Sequence, residues 1–319
     1  MTRFDGSFEP IAVSIRSDFE ECLHHGAGAV IDSSGNLCAR IGDPDLVIYP
    51  RSSLKPLQAS AMVDLGLELP DNLLAVVCAS HDGAPMHLDA VRQVLQLFDL
   101  DESELGNTSS RPLGNVARAE AWAAGVEPSP LQQNCSGKHA GMLATCRVNG
   151  WPVSNYLDND HPLQQAITAT ISDFGCTVRH VGIDGCGAPT HAVDLRALAS
   201  AFAAIVSSDS SVARAMRSRP ELVGGPTRDV TVWMQTIPGL MVKDGAAGVM
   251  AAALPDGRAC AYKIADGSTA ARQAVMIAAL RAMDVDLDEV SAETIGRLEV
   301  SVLGGGRRVG TLSPVEWAQ

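Results

Sequence analysis

Two β-hairpin patterns, one near each end of the chain, constrain the fold more than any other feature of the sequence. Near the N-terminus, residues 26–32 and 37–42 are largely apolar and flank the turn 33–36. Near the C-terminus, the apolar runs 248–254 and 259–265 flank a Pro-Asp-Gly-Arg turn. Proline presets one φ angle of such a turn, and glycine permits a positive φ. Both segments are therefore predicted to be antiparallel hairpins.

Helical patterns fill most of the chain between these hairpins. In residues 85–98, Val91, Val94 and Leu95 recur at helical spacing and predict one apolar face. Further helices are predicted at about 51–67, 138–148, 161–174, 191–207 and 268–283. The apolar run 73–77 is predicted to be a buried strand, and a last pair of strands to bracket 304–308. Strands at both ends with helices between them predict an α+β fold, with a mostly antiparallel sheet packed with helices.

The composition is that of a globular protein. The chain has 319 residues, 46% apolar and 19% charged, which predicts a single domain, 1–319, with a helical subdomain at about 60–250. Its net charge of −13 repels phosphate backbones, so nucleic-acid binding is not expected. No apolar run reaches the roughly 18 residues of a membrane span, and the start of the chain lacks the apolar segment of a secretory signal. We therefore expect a cytoplasmic protein whose eight cysteines stay reduced.

The first candidate for chemistry is the pair Ser52 and Lys55, directly after a predicted strand. A serine hydroxyl is a weak nucleophile and needs a base. Residues three apart share one face of a helix, so Lys55 can lie over the Ser52 hydroxyl. Pro56 follows Lys55 and disfavours the α region before it, so an irregular first turn is expected. A capping serine beside a solvated lysine is the alternative interpretation of so short a motif.

The polar segment 78–83 follows the predicted buried strand and contains Ser80. Such a segment is expected where a buried strand opens into a site. The Ser80 hydroxyl could then relay a proton to or from Ser52. A serine turn that merely closes the strand is the alternative interpretation.

Two further polar, glycine-bearing segments, 134–141 and 182–187, contain Cys135 and Cys186. Each is predicted to lead toward a helix. Two thiolates are good soft ligands for zinc, and Lys138, three residues after Cys135, can face the same centre. A lysine ligand must be a neutral amine, which a nearby dication would enforce. His139 is the conventional alternative ligand, and two inert cysteines are the alternative to any metal site.

Lys263 lies on the second strand of the C-terminal hairpin, between Tyr262 and Ile264. Its side chain is predicted to point to the face opposite from theirs, because strand side chains alternate. It could line a cleft as an electrostatic partner for a carboxylate. A lysine on the solvent face of the hairpin is the alternative.

Taken together, these segments resemble the rhizobial-type L-asparaginases. The segments that carry the resemblance are 49–58, 78–81, 134–143, 160–164, 182–187, 245–249 and 263–267. It extends from about residue 10 to the end of the chain. One minor departure is Ala247, at a position where family members often carry an acid.

The resemblance implies a fold similar to that of the serine β-lactamases and penicillin-binding proteins, usually in a homodimer. It implies hydrolysis of L-asparagine to L-aspartate and ammonia, with Ser52 as the nucleophile and Lys55 as its base. Ser80 and Lys263 match a second serine–lysine pair that assists proton transfer.

The resemblance also implies a zinc ion held by Cys135, Lys138 and Cys186, with water as the fourth ligand. Asp184 matches a residue that holds the substrate through its α-ammonium group, and Arg51 and His139 are further candidates for substrate binding. We expect the zinc to anchor two loops and orient the substrate, so its removal should weaken binding more than chemistry.

Three other functions compete with this interpretation. A related Ser-x-x-Lys acylase would act on a larger amide or a β-lactam. A zinc hydrolase would attack with metal-bound hydroxide, leaving Ser52 incidental. A non-catalytic amino-acid sensor would not need both serine–lysine pairs.

Overall fold

The computed structural model describes residues 4–208, 210–288 and 290–318. The prediction of a cytoplasmic protein uses the N-terminal segment, and the first three residues of that segment lie outside the described residues. The chain forms two compact units. The first comprises Met1–Ser53, Val193–Ser207 and Thr236–Gln319, and the second comprises Leu54–Ala192 and Ser208–Gln235.

The strands and helices alternate irregularly along the chain. The strands are β1 Glu9–Arg16, β2 Phe19–Ile31, β3 Leu37–Ile41, β4 Val47–Ile48, β5 His180–Ile183, β6 Pro189–Asp194, β7 Met241–Gly245, β8 Val249–Ala253, β9 Ala259–Ile264, β10 Ser301–Gly304 and β11 Arg307–Pro314. The α-helices are α1 Lys55–Asp64, α2 Asp71–Val77, α3 Pro85–Leu97, α4 Asn115–Ala123, α5 Ser136–Asn149, α6 Pro162–Asp173, α7 Leu195–Ser207, α8 Ser211–Ser218, α9 Pro220–Val223, α10 Asp229–Thr236, α11 Arg272–Ala282 and α12 Ala292–Leu298. Short 3-10 helices occupy Arg51–Leu54 and Glu102–Glu104. Among the described residues, no helix combines the length and apolar character needed to cross a membrane.

The first unit is built on an antiparallel sheet in the order β10-β11-β1-β2-β9-β8-β7, with β3 also paired to β2. Helix α7 packs against β2, β8 and β9, and α11 against β11, β1 and β9. Strand β8 is buried along its whole length because its side chains are apolar and mostly small. The predicted α+β class with a mostly antiparallel sheet is therefore confirmed.

The second unit is largely helical, with α2 packed against α3, α5 and α8, and α1 against α6. Helix α5 approaches α2 so closely that two of its positions require glycine. A Cβ at Gly137 would lie 2.0 Å from the carbonyl oxygen of Val76, and one at Gly141 would lie 2.7 Å from a methyl of Val77. This close approach fixes the start of α5, where Cys135 and Lys138 lie.

Both predicted hairpins are confirmed as β2–β3 and β8–β9, and the final strand pair as β10–β11. The prediction of a strand at 73–77 is wrong, because this run forms most of α2. A short buried apolar run has no periodicity that separates a strand from a helix buried on all sides. The helix predicted at 191–207 begins only at Leu195, since residues 191–194 belong to β6. For the same reason, segment 182–187 leads into a strand and not a helix.

Candidate active site

The segment that carries Arg51 and Ser52 is the 3-10 helix Arg51–Leu54, which runs directly into α1. The predicted irregular first turn is thus confirmed, and Pro56 is accommodated in the first turn of the following α-helix. Arg51 has a φ of +56°, in the left-handed region that side chains rarely adopt. Ser52 is only 9% exposed. Strained backbone such as that of Arg51, directly before the buried Ser52, is often found at functional sites.

In the second unit, the Nζ of Lys55 is buried against three hydrogen-bond partners. Its Nζ donates to the carbonyl oxygen of Ala79, to Ser80 Oγ at 3.2 Å and to Cys135 Sγ at 3.2 Å. Only 1% of Lys55 is exposed, so water cannot replace these partners. The structure therefore brings together a predicted base, a predicted proton relay and a predicted metal ligand. The alternative of a solvated lysine is excluded.

The backbone on both sides of Ser80 is tied to two distant segments. The Ser80 amide donates to the carbonyl of Val223 at 3.0 Å, and the His81 amide to that of Asn134 at 3.2 Å. The His81 ring is fully buried, with Nε2 2.9 Å from Ser136 Oγ. Burial, His87 and Lys55 hold the pKa of His81 well below its usual range, so the ring is neutral. Sequence reasoning gave His81 no role, although its place beside Ser80 could have suggested one.

Cys135, Lys138 and Cys186 also lie together in the second unit. Lys138 Nζ is 3.3 Å from Cys186 Sγ. A hydrogen bond from Cys186, with the charges of Lys55 and Lys138, holds the pKa of Cys135 well below its usual range despite burial. The same hydrogen bond, together with burial, raises the pKa of Cys186. The two thiols are thus coupled, and Cys135 is the one whose pKa is lowered.

The chemistry of these three donors fits a zinc ion. Adjacent ligand atoms of a tetrahedral zinc site with Zn–S near 2.3 Å and Zn–N near 2.0 Å lie about 3.5–3.8 Å apart. The Lys138–Cys186 distance of 3.3 Å is close to that value. Burial opposes the charge of Lys138, but Cys186, Cys135 and Asp184 raise its pKa, so a metal would have to displace a proton from it. Among the described residues, no group of three or more His, Cys, Asp or Glu side chains could hold a metal ion. The set Cys135, Lys138 and Cys186 falls outside that description, because one of its three ligands is a lysine.

The two predicted substrate-binding residues of this unit flank the cysteines. Asp184 precedes Cys186 in the turn between β5 and β6, and its Oδ1 accepts the Gly185 amide at 2.8 Å. His139 follows Lys138 on α5, with Nδ1 2.7 Å from the hydroxyl of Tyr156. Burial, with the charges of Lys138 and Lys55, holds the pKa of His139 well below its usual range. It therefore has a neutral ring.

Lys263 belongs to the first unit, where it lies on β9 between Ala27 of β2 and Val249 of β8. Its neighbours Tyr262 and Ile264 are fully buried and Lys263 is half-buried, as the predicted alternation requires. Its Nζ donates to the carbonyls of Ala247 at 2.5 Å and Ile264 at 2.6 Å. Burial lowers the pKa of Lys263, although Asp266 opposes this effect. The sequence-predicted site residues thus divide between the units: Arg51, Ser52 and Lys263 in the first, and the others in the second.

Comparison with known proteins identifies the family of the chain. A family described as L-asparaginase II matches residues 12–314. None of the curated proteins matches the sequence. Among solved structures, a crystal structure described as a β-lactamase from Mycobacterium bovis is 19% identical, covering 80% of this chain and 94% of that chain with a TM-score of 0.39. That TM-score is too low to establish a common fold, so the β-lactamase-like architecture stays a prediction.

Proposed function

The chain belongs to the L-asparaginase II family and is an amidohydrolase, and from this premise we propose that it hydrolyses L-asparagine with Ser52 as the nucleophile and Lys55 as the general base. The observation that carries this proposal is the burial of the Lys55 Nζ atom against Ser80 and Cys135. A lysine held so firmly, three residues after a buried serine, has the fixed position that proton transfer requires. A structural lysine would more commonly extend to water.

The proposed reaction is acyl transfer. Ser52 Oγ attacks the side-chain carbonyl carbon of asparagine while Lys55, as the neutral amine, takes the hydroxyl proton. Backbone N–H groups, including that of Ser52, stabilise the oxyanion. The C–N bond then breaks, and the departing amide nitrogen receives a proton and leaves as ammonia. Water hydrolyses the resulting β-aspartyl ester, which releases aspartate and returns the proton to Ser52.

Ser80 is the proposed carrier of the proton between Lys55 and the leaving nitrogen. Its Oγ lies 3.2 Å from Lys55 Nζ, within reach of a direct transfer. A hydroxyl can accept one proton as it donates another, which a relay requires. Lys263, whose pKa is lowered by burial, is the proposed partner of Ser80 in a second serine–lysine pair.

Cys135, Lys138 and Cys186 would hold a zinc ion, which would supply a positive charge beside the substrate when bound. These residues join the start of α5 to the β5–β6 turn, so their proposed role is to fix both segments. Asp184, in the same turn, would bind the α-ammonium of the substrate. Arg51 and His139 are proposed as further contacts to asparagine. We also propose that the protein forms a homodimer, which light scattering would test.

The test is ammonia release from asparagine by Ser52→Ala and by a matched control, Ser60→Ala. Ser60 is also a buried serine, and its hydroxyl donates to the carbonyl of Pro56 in its own helix. The proposal expects Ser52→Ala to lose nearly all turnover with its zinc content unchanged, and Ser60→Ala to stay active. Near-normal turnover in Ser52→Ala would favour the zinc hydrolase. Hydrolysis of a chromogenic β-lactam without ammonia release from asparagine would favour the related acylase.

A further inference from the structure

A second group of buried charges, in the first unit, lies beside the segment that carries Ser52. Lys243 on β7 is completely buried, and its Nζ donates to Asp244 Oδ1 at 2.6 Å and to the Asp244 carbonyl at 2.7 Å. Arg272, at the start of α11, donates to the other carboxylate oxygen of Asp244 at 3.3 Å. The carbonyl of Arg272 in turn accepts the hydroxyl of Tyr262 on β9 at 2.6 Å. We call Lys243, Asp244 and Arg272 the β7 charge cluster.

The cluster has two cations and one carboxylate, and taking them out of water is costly. Buried ion pairs are weak evidence for stability, because apolar residues of similar volume often serve as well or better. A fully buried lysine on an edge strand therefore suggests a role other than stability. The cluster ties β7 to the start of α11 and, through Tyr262, to β9, so it fixes where the last strand of the sheet lies.

Strand β7 touches the Ser52 segment directly. The hydroxyl of Ser53 donates to the carbonyl of Lys243 at 3.1 Å. At Gly245, a Cβ would lie 2.2 Å from the carbonyl oxygen of Pro50 and 2.9 Å from Ser53 Oγ, so the backbone of β7 lies against this segment at a point where only glycine fits. Arg51, between Pro50 and Ser52, carries the left-handed φ of +56°. A strained turn keeps its conformation only where surrounding structure holds it.

We infer that the β7 charge cluster is a positioning device for the nucleophile: it fixes β7, and β7 holds the strained segment Pro50–Ser53 so that the Ser52 hydroxyl is correctly aimed. Lys243, Asp244, Arg272 and Ser53 are positioning residues, because they act through the backbone of this segment. This inference rests on the proposed role of Ser52. Displacing a reacting group by about 1 Å can cost about a hundredfold in rate, so a small shift of β7 has a large effect on turnover.

The test uses Ser53→Ala, which removes the bond to β7, and Lys243→Met, which removes a buried charge but leaves the Asp244–Arg272 pair. Asp244→Asn is the poorer choice, since it leaves two cations buried without a counter-charge. Met241→Leu is the matched control, because Met241 is also fully buried on β7 but is not part of the charge cluster. Each variant is assayed for kcat and KM with asparagine and for its free energy of unfolding.

We expect Ser53→Ala and Lys243→Met each to lower kcat about tenfold with KM nearly unchanged, and the double variant to lose little more than either alone, since both act through one strand. Met241→Leu should keep wild-type kcat. The inference is overturned if kcat in both test variants stays at the wild-type value, or falls only as far as in the control. Ser52→Ala separates this failure from that of the proposed function. Full turnover in Ser52→Ala would refute Ser52 as the nucleophile. An inactive Ser52→Ala together with fully active Ser53→Ala and Lys243→Met would refute only the positioning role.

Discussion

The Nζ of Lys55 lies 3.2 Å from the Sγ of Cys135, so the proposed general base and a proposed zinc ligand share one hydrogen bond. This contact couples the metal site to the chemistry in a way that sequence spacing does not predict, since the two residues are 80 positions apart. It leads to different expectations for removing the metal and for removing the cysteine.

Chelation of zinc should raise KM at least about tenfold and lower kcat less, because Cys135 stays in place as an acceptor for Lys55. Cys135→Ala should lower kcat as well, because it removes a buried hydrogen-bond partner that holds the Lys55 Nζ in place. Steady-state kinetics with asparagine, alongside zinc content by atomic emission, distinguish the two. An unchanged KM with no turnover in the chelated enzyme would contradict the anchoring role.

The substitution Ala247→Gly, in the turn between β7 and β8, should stabilise the folded protein. Ala247 has a φ of +58°, a conformation that costs an L-residue roughly 1–2 kcal/mol. Glycine removes that cost but makes the unfolded chain more flexible, so the expected net gain is up to about 1 kcal/mol. Urea unfolding measures it, with Ala246→Gly as the neighbouring control. A loss of stability in Ala247→Gly equal to that of the control would contradict the expectation.

Gly137→Ala should destabilise the helical unit by about 3 kcal/mol, because its methyl would lie 2.0 Å from the Val76 carbonyl oxygen and force α5 away from α2. Gly296→Ala is the matched control, since nothing lies within 4 Å of a Cβ at that helical position. There alanine should add up to about 1 kcal/mol through its helix propensity. Thermal and urea unfolding of both variants check the pair, and equal effects would refute the close approach of the two helices.

Stability should fall as the pH drops below about 6.5, because the buried rings of His81, His139 and His191 have lowered pKa values in the folded protein. Burial, and to a lesser extent Lys138, lowers the pKa of His191 to about 4. Its contribution is therefore complete above the unfolded pKa of about 6.5 and is lost as the pH falls from there to about 4. His191→Gln should reduce the slope of unfolding free energy against pH by about 1.4 kcal/mol per unit in this window. Urea titrations between these pH values measure the slope, and an unaltered slope would contradict the assignment.

The sequence predicts the two hairpins well, because turn residues and the apolar runs that flank them are local properties. It predicts which face of β9 Lys263 occupies for the same reason. It fails at 73–77, where every residue of this part of α2 is buried and no polar face gives a period. The contacts of Lys55 with Ser80 and Cys135 come from long-range packing and have no local signal.

The β7 charge cluster is equally invisible in the sequence. Lys243 and Asp244 are adjacent charged residues, a pattern typical of an exposed turn, yet Lys243 is wholly buried. The left-handed backbone of Arg51 has no glycine or asparagine to indicate it. The family resemblance supplied Arg51 and Asp184 as candidates, and their roles stay predictions.

The most direct test of the central claim is to trap the acyl-enzyme. The enzyme is mixed with asparagine, quenched with acid within the first turnover, digested and examined by mass spectrometry. The mechanism predicts an aspartyl group esterified to Ser52, absent from Lys55→Met because the serine then lacks its base. An aspartyl adduct on another residue, or none in an enzyme that releases ammonia at the normal rate, would contradict Ser52 as the nucleophile.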